Sequence, residues 1–312
     1  MAIRWLEGIK GGIRPRTWER YDEIVTHHIR PTLSRLKLRA IQPDHLQRLY
    51  AAKRQEGKAP RTVHHIHAVL HRALGQAMKW GAIPRNPADI VDKPRTPKLE
   101  IAPPTTDEVR RLLDSAWAIE DRYAALWTVT VYSGCRLGEL LALHWSDVAL
   151  DRCSITIRRT LERVTGTTPV YGEPKTSRSR RTVVLPAVAI DGLRSWKADQ
   201  NVERLATGEN YASYGLVFCI EIGTPLSGRN AHRFFKLALA RAGLPSSVRV
   251  HDLRHFAATL MLSAGVHPKI ASERLGHSTV GITLDLYSHA VQGLDADAAE
   301  RMAKAMEASR SN

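Results

Sequence analysis

Apolar positions in the first part of the chain recur with the period of a helix. Trp18, Tyr21, Ile24, Val25 and Ile29 form one stripe, Leu46, Leu49 and Tyr50 a second, and Val63, Ile66, Val69, Leu70 and Leu74 a third. Spacings of three and four put each set on one helix face. Pro31, Pro43 and Gly57 punctuate the runs, so the pattern predicts three or four short helices. Residues 93–104, KPRTPKLEIAPP, hold four prolines and no helical period, which marks a linker. Thr105-Thr106-Asp107-Glu108 then reads as a helix start, a hydroxyl cap followed by acids in the first turn. Helices are expected at 106–118 and 121–133. Segments Cys153 to Thr160, Arg181 to Leu185 and Leu216 to Cys219 read as strands, and helical periodicity returns from about residue 228. The expected architecture is mainly α with a small antiparallel sheet (α+β): a helical domain over 1–92, a linker over 93–104 and a second domain over 105–312.

Charge separates the two parts. The whole chain of 312 residues carries 46 Lys and Arg against 31 Asp and Glu, a net +15. Residues 1–100 hold +11 of it and residues 101–312 only +4. A surplus of that size points to a polyanion, nucleic acid or an anionic membrane surface. No apolar run approaches the roughly 18 residues a membrane helix needs, and the first residues, MAIRWLEGIKGG, have no signal-peptide core. Cys135, Cys153 and Cys219 form neither a disulfide framework nor a zinc pattern. The expectation is a protein of the reducing cytoplasm.

Several polar segments carry candidate chemistry. In SGCRLGEL, Arg136 stands before a short helix, where its guanidinium fork could hold an anion or simply pair with Glu139. Lys175 and Arg178 lie in a basic turn, Gly172 to Arg180, between two strands; a solvated lysine is the plain alternative. His251 and Arg254, three apart, lie side by side on a helix. Gly276 reads as a helix C-cap, His277 follows it, and Ser278 caps a short helix over 279–288 that ends near Tyr287. His64, His65, His67 and His71 could hold a metal through a four-residue pair. Flanked by Arg61, Thr62 and Arg72, they fit a DNA-facing helix surface better. Cations, histidines and one tyrosine suit phosphoryl transfer, with positioned charge on the developing oxyanions and a hydroxyl as covalent nucleophile.

The ordered set Arg136, Lys175, His251, Arg254, His277, Tyr287 resembles that of the tyrosine recombinases, the phage integrase family. The words SGCRLGELLAL, HDLRHFAATLMLSAG and ERLGHSTVGITLDLYSH carry the resemblance in the second domain. TWERYDEIVTHHIRPTL and ALGQAMKWGAIPRNPA are similar to the family's helical, SAM-like core-binding domain. The resemblance implies that Tyr287 attacks a scissile phosphate of duplex DNA, leaving a 3′-phosphotyrosyl bond and a free 5′-hydroxyl. It implies that Arg136 and Arg254 clamp the non-bridging oxygens, Lys175 protonates the leaving oxygen, His251 acts as acid or base and His277 bonds the phosphate. Neither ATP, metal nor any other cofactor is then required. Two successive exchanges through a Holliday junction would recombine paired sites held by a homotetramer.

The same resemblance makes Arg61, Thr62, His65 and Arg178 the candidate DNA contacts. The apolar stripe Leu294, Ala298, Met302 and Met306 could pack on its own domain; the resemblance makes it a docking helix for a neighbouring subunit and allows an accessory DNA-bending or directionality protein. The core-binding words begin almost at Met1, so the expectation is either an enzyme without an arm-binding domain or a shortened chain. A topoisomerase-like nicking-closing enzyme and an inactive DNA-binding remnant are the alternatives.

Overall fold

The computed structural model describes residues 2–93, 103–162, 170–172, 180–277, 279–287 and 302, with backbone alone at 282 and 285–287. Lys175, Arg178, Ser278, most of the expected linker and the 294–306 stripe apart from Met302 lie outside these residues. The chain divides into two compact units, Met1–Glu100 and Ile101–Asn312. Among the described residues, no helix is long and apolar enough to cross a membrane.

The first unit is helical. Helices α1 (Ala2–Ile9) and α2 (Pro15–Ile24) are followed by a π-helical turn, Val25–Ile29, that runs into α3 (Arg30–Leu33). α4 (Pro43–Gln55) and α5 (Pro60–Lys79) complete it. Proline opens α2, α4 and α5, where its missing N–H costs nothing and its fixed φ already suits a helix. The three predicted stripes converge on one core: Ile24, Val25, Ile29, Leu46, Leu49, Val63, Ile66, Leu70 and Leu74 are buried with Trp5 and Leu6.

The second unit begins with α6 (Thr106–Ala118). Thr105 accepts from the Glu108 N–H at 3.2 Å while Glu108 accepts from the Thr105 N–H at 2.8 Å, a reciprocal capping box. α7 (Ala124–Ser133) is buried almost all round, the mark of a central core helix. It starts later than the predicted 121 because the Asp121 carboxylate accepts from the Tyr123 N–H at 2.9 Å and holds a turn there. After α8 (Leu137–Leu140) come β1 (Val148–Ala149), β2 (Ser154–Ile157), β3 (Thr160–Glu162), β4 (Val170–Gly172) and β5 (Arg181–Val184). β1, β2 and β5 form one antiparallel sheet in that order, with Ile155 opposite Val183, and β3 pairs with β4 in a second.

Two strand expectations need correcting. Cys153 to Thr160 is not one strand. It breaks at Arg158 and Arg159, whose guanidiniums both reach the buried Asp147 carboxylate, at 3.0 and 3.2 Å. Leu216 to Cys219 joins no sheet. Isolated bridges, the Trp196 indole N–H (2.6 Å to the Val217 carbonyl), Gln200 (3.1 Å to the Leu216 carbonyl) and Arg122 (2.7 Å to the Cys219 carbonyl) satisfy its backbone instead. The remaining helices are α9 (Ala187–Thr207), α10 (Gly228–Arg241), α11 (Val250–Ser263), α12 (Pro268–Leu275) and α13 (Val280–Tyr287). α11 packs on α7, and α12 and α13 pack on α11. This layering brings the turn after α7 to the α12–α13 junction.

Candidate active site

The turn after α7 is built for close approach. Gly134 lies in the left-handed region with φ 60°, and a Cβ there would stand 2.4 Å from the buried Leu275 Cδ2. Any other residue would have to push aside the buried Leu275 side chain and hold a left-handed backbone that favours glycine. The Gly134 carbonyl accepts from Arg254 Nη1 at 2.7 Å. Two residues on, Arg136 caps α8: its N–H and Nη1 donate to the Glu139 carboxylate, both at 2.9 Å, and Nη2 donates to the Gly276 carbonyl at 3.1 Å. The pairing of Arg136 with Glu139 is thus present. The Arg136 side chain is nevertheless 42% exposed while Glu139 is 3% exposed.

α11 supplies the next groups. The Asp252 carboxylate accepts from the Arg249 N–H at 2.8 Å and from Arg249 Nη2 at 2.7 Å, which fixes the start of the helix. Arg254 is 3% exposed, and its Nη2 is buried with no hydrogen-bond partner among the described residues. Burial, and then the nearby Arg136, push its guanidinium down to about 9, still cationic at neutral pH. A buried cation with an unpaired nitrogen is costly until an anion arrives. His251, exposed at the start of α11, meets His255 edge-to-face, ring centres 4.7 Å apart; partial desolvation of its ring, followed by the charges of His255 and Arg254, lowers its pKa.

The third part is the α12–α13 junction. Gly276 ends α12 in the left-handed conformation, as its place in the sequence predicts. His277 is buried, with Nδ1 2.8 Å from the hydroxyl of fully buried Thr283. That bond ties the junction to α13, and Tyr287, the last residue of α13, lies one turn beyond Thr283. Burial and then the field of Arg254 and Arg136 lower His277 to about 3.

Arg136, Arg254 and His277 thereby meet in one cation-rich recess, and His251 lies within the field of Arg254 and Arg136. Lys175 and the Tyr287 side chain lie outside what the structure describes. Sequence reasoning gave no role to Arg181, Thr283 or His255. Thr283 and His255 sit in quoted words but look like ordinary helix residues, and Arg181 is masked by the run SRSRR.

The pKa directions carry a stability prediction. His277 takes up a proton near pH 6.5 in the unfolded chain but only near 3 when folded. Its contribution is whole above pH 6.5 and declines as pH falls toward that folded value. The thermal midpoint should drop between pH 6.5 and 4, and His277→Gln should lessen the drop relative to wild type. Equal slopes in the two proteins would contradict the burial of a neutral His277.

In the first unit the histidine cluster divides. His67 is buried and bonds Tyr50 (Nδ1 to hydroxyl, 3.0 Å), and His71 meets the Asp89 carboxylate at 2.7 Å. Thr62 and His65 line a cleft of about 350 Å³ with Arg20, Glu23, His27 and His28, the last two on the π-helical turn. Arg61 is exposed on the same end of α5.

The chain is similar to known proteins in both sequence and fold. The Phage integrase family matches residues 105–293, and the phage integrase N-terminal SAM-like domain matches residues 1–53. A protein of Caldanaerobacter subterraneus subsp. tengcongensis named tyrosine recombinase XerC-like is 28% identical over 317 residues, covering 96% of this chain and 80% of the relative. An integrase of Streptomyces ambofaciens is 30% identical, covering 91% of this chain and 74% of its own. The integrase of the Tn1549 transposon, solved with transposon right-end DNA, shares the fold with a TM-score of 0.81 at 20% identity, covering 97% of this chain and 98% of the other.

Proposed function

From a chain that belongs to the phage integrase family, the site-specific recombinases that cut and rejoin DNA, we propose a mechanism in which Tyr287 is the nucleophile and the α7–α11–α12 recess binds the scissile phosphate. The observation that carries this is Arg254: a buried guanidinium with one nitrogen held by the Gly134 carbonyl and the other without a partner among the described residues. A non-bridging phosphate oxygen supplies that partner. Arg136, partly exposed beside it, takes the second oxygen. Charge builds on these oxygens in the pentavalent transition state, where fixed donors in a dry recess are most effective.

His277, neutral and held through Nδ1 by Thr283, has Nε2 as its other ring nitrogen for the phosphate. His251 assists proton transfer, and Lys175 protonates the leaving 5′-oxygen. The Tyr287–phosphate bond conserves the energy of the broken linkage, so a 5′-hydroxyl from a second duplex reseals it with neither ATP nor metal. The first unit grips the phosphate backbone through Arg61, Thr62 and His65, and Arg178 adds a contact from the second. Its excess of positive charge makes binding steeply salt-dependent. Paired sites are held in a tetramer through the C-terminal stripe, and a DNA-bending or directionality protein sets the outcome.

The test is a supercoiled plasmid carrying two copies of the DNA flanking the protein's own gene. Deletion or inversion products are expected. Relaxation without exchange would instead favour a nicking-closing enzyme, and binding with neither would favour an inactive remnant.

A further inference from the structure

Arg181 opens β5 and links the turn after α7, the Glu139 carboxylate and the end of α12, though it faces away from solvent, 7% exposed. Its Nη2 and Nη1 donate to the two Glu139 oxygens at 2.8 and 3.3 Å. Nε donates to the Arg274 carbonyl at 2.6 Å, on the last turn of α12. Nη2 also reaches the Cys135 sulfur at 3.4 Å. Gly276 leaves the space for it: a Cβ there would fall 2.8 Å from Arg181 Nη1.

Glu139 is therefore shared. One buried carboxylate faces two arginines, Arg181 and Arg136. A carboxylate bound to Arg136 alone would neutralise it. Divided between two cations, it orients Arg136 while leaving that guanidinium a surplus of positive charge for a phosphate. Arg181 simultaneously fixes the end of α12 from which His277 projects. Both effects act through other residues.

We infer that Arg181 is a positioning residue for strand cleavage, which keeps Arg136 from being neutralised by Glu139 and anchors the Gly276–His277 junction. The inference rests on the phosphoryl-transfer reading above. It gives Cys135 only a packing and weak acceptor role, and it needs no contact between Arg181 and DNA.

The experiment measures single-turnover cleavage of a nicked site duplex at saturating protein, below the thermal midpoint, with the DNA dissociation constant and the midpoint recorded for each variant. Arg181→Met should cleave about 10²-fold more slowly, the scale of a displaced catalytic group, with DNA affinity within a few-fold of wild type. Glu139→Gln in the Arg181→Met background should restore part of the rate, because the charge that captures Arg136 is gone. Arg181→Lys, which keeps a cation by Glu139 but not the bond to the Arg274 carbonyl, should fall between wild type and Arg181→Met and serves if the methionine variant does not fold.

Wild-type rate in Arg181→Met or Arg181→Lys, with only a lowered midpoint, would overturn the inference and leave a structural role. Losses that multiply in the double variant, with no restoration, would overturn it as well, since independent sites behave that way. Failure of the wild type itself to cleave bound DNA would sink the underlying reading instead, and is distinguished by the wild-type arm alone.

Discussion

Tyr287→Phe will bind its DNA site as wild type does and lose cleavage by about 10⁶-fold. The substitution deletes one oxygen. If that oxygen is the nucleophile, no neighbouring group can replace it, and the loss should be on the order of 10⁶-fold, the size seen when a covalent nucleophile is removed from an otherwise intact site. Binding should persist because the contributions proposed for it, the basic first unit and the arginine recess, lie elsewhere. Tyr287 closes α13, which is tied to the recess one turn earlier by the Thr283–His277 bond. A gel-shift titration and a single-turnover cleavage assay on the same duplex separate the two properties. Equal loss of binding and cleavage would count against the assignment.

Arg254→Lys should reduce cleavage by about 10²–10³-fold, the range for loss of one fixed oxyanion donor. Arginine presents a planar fork, so one nitrogen can hold the Gly134 carbonyl at 2.7 Å while the other turns to a phosphate. Lysine offers one compact charge at the end of a flexible chain. It can satisfy the carbonyl or the phosphate, and a buried position penalises whichever group it leaves. DNA affinity should change by only a few-fold, because backbone contacts of the first unit dominate it. Single-turnover rates with filter-binding constants check this. A lysine variant that cleaves at the wild-type rate would remove the fork from the mechanism.

Much of this was legible in the sequence because local rules suffice for it. The three stripes of the first unit, the Thr105 cap and the Gly276 C-cap are set by residues within a few positions of one another. Periodicity reports burial, however, and not what satisfies the backbone. LVFC at 216–219 is buried as a strand would be, yet side chains from α9 and Arg122 take up its carbonyls. α9 itself was unread: behind Ile190, Leu193 and Trp196 its stripe thins to Gln200 among charges, so one face looks hardly more apolar than the other.

The words around Arg136, Arg254 and His277 likewise do not say how those residues meet. The bonds that assemble them span 140 residues for Arg136 to Gly276, 120 for Arg254 to Gly134 and 42 for Arg181 to Glu139. No spacing rule reaches that far, which is why Arg181 reads as one more arginine in a basic run.

The most direct test of the central claim is to trap the covalent intermediate. A duplex nicked beside the cleavage position loses its short 5′-hydroxyl fragment on cutting, so religation cannot reverse the step. The protein is incubated with it, denatured, digested with protease and nuclease, and the nucleotide-bearing peptide is sequenced by mass spectrometry. The account predicts a single modified peptide containing Tyr287, joined through the 3′-phosphate of the cut strand. A nucleotide on any other residue, or attachment through a 5′-phosphate, would contradict it.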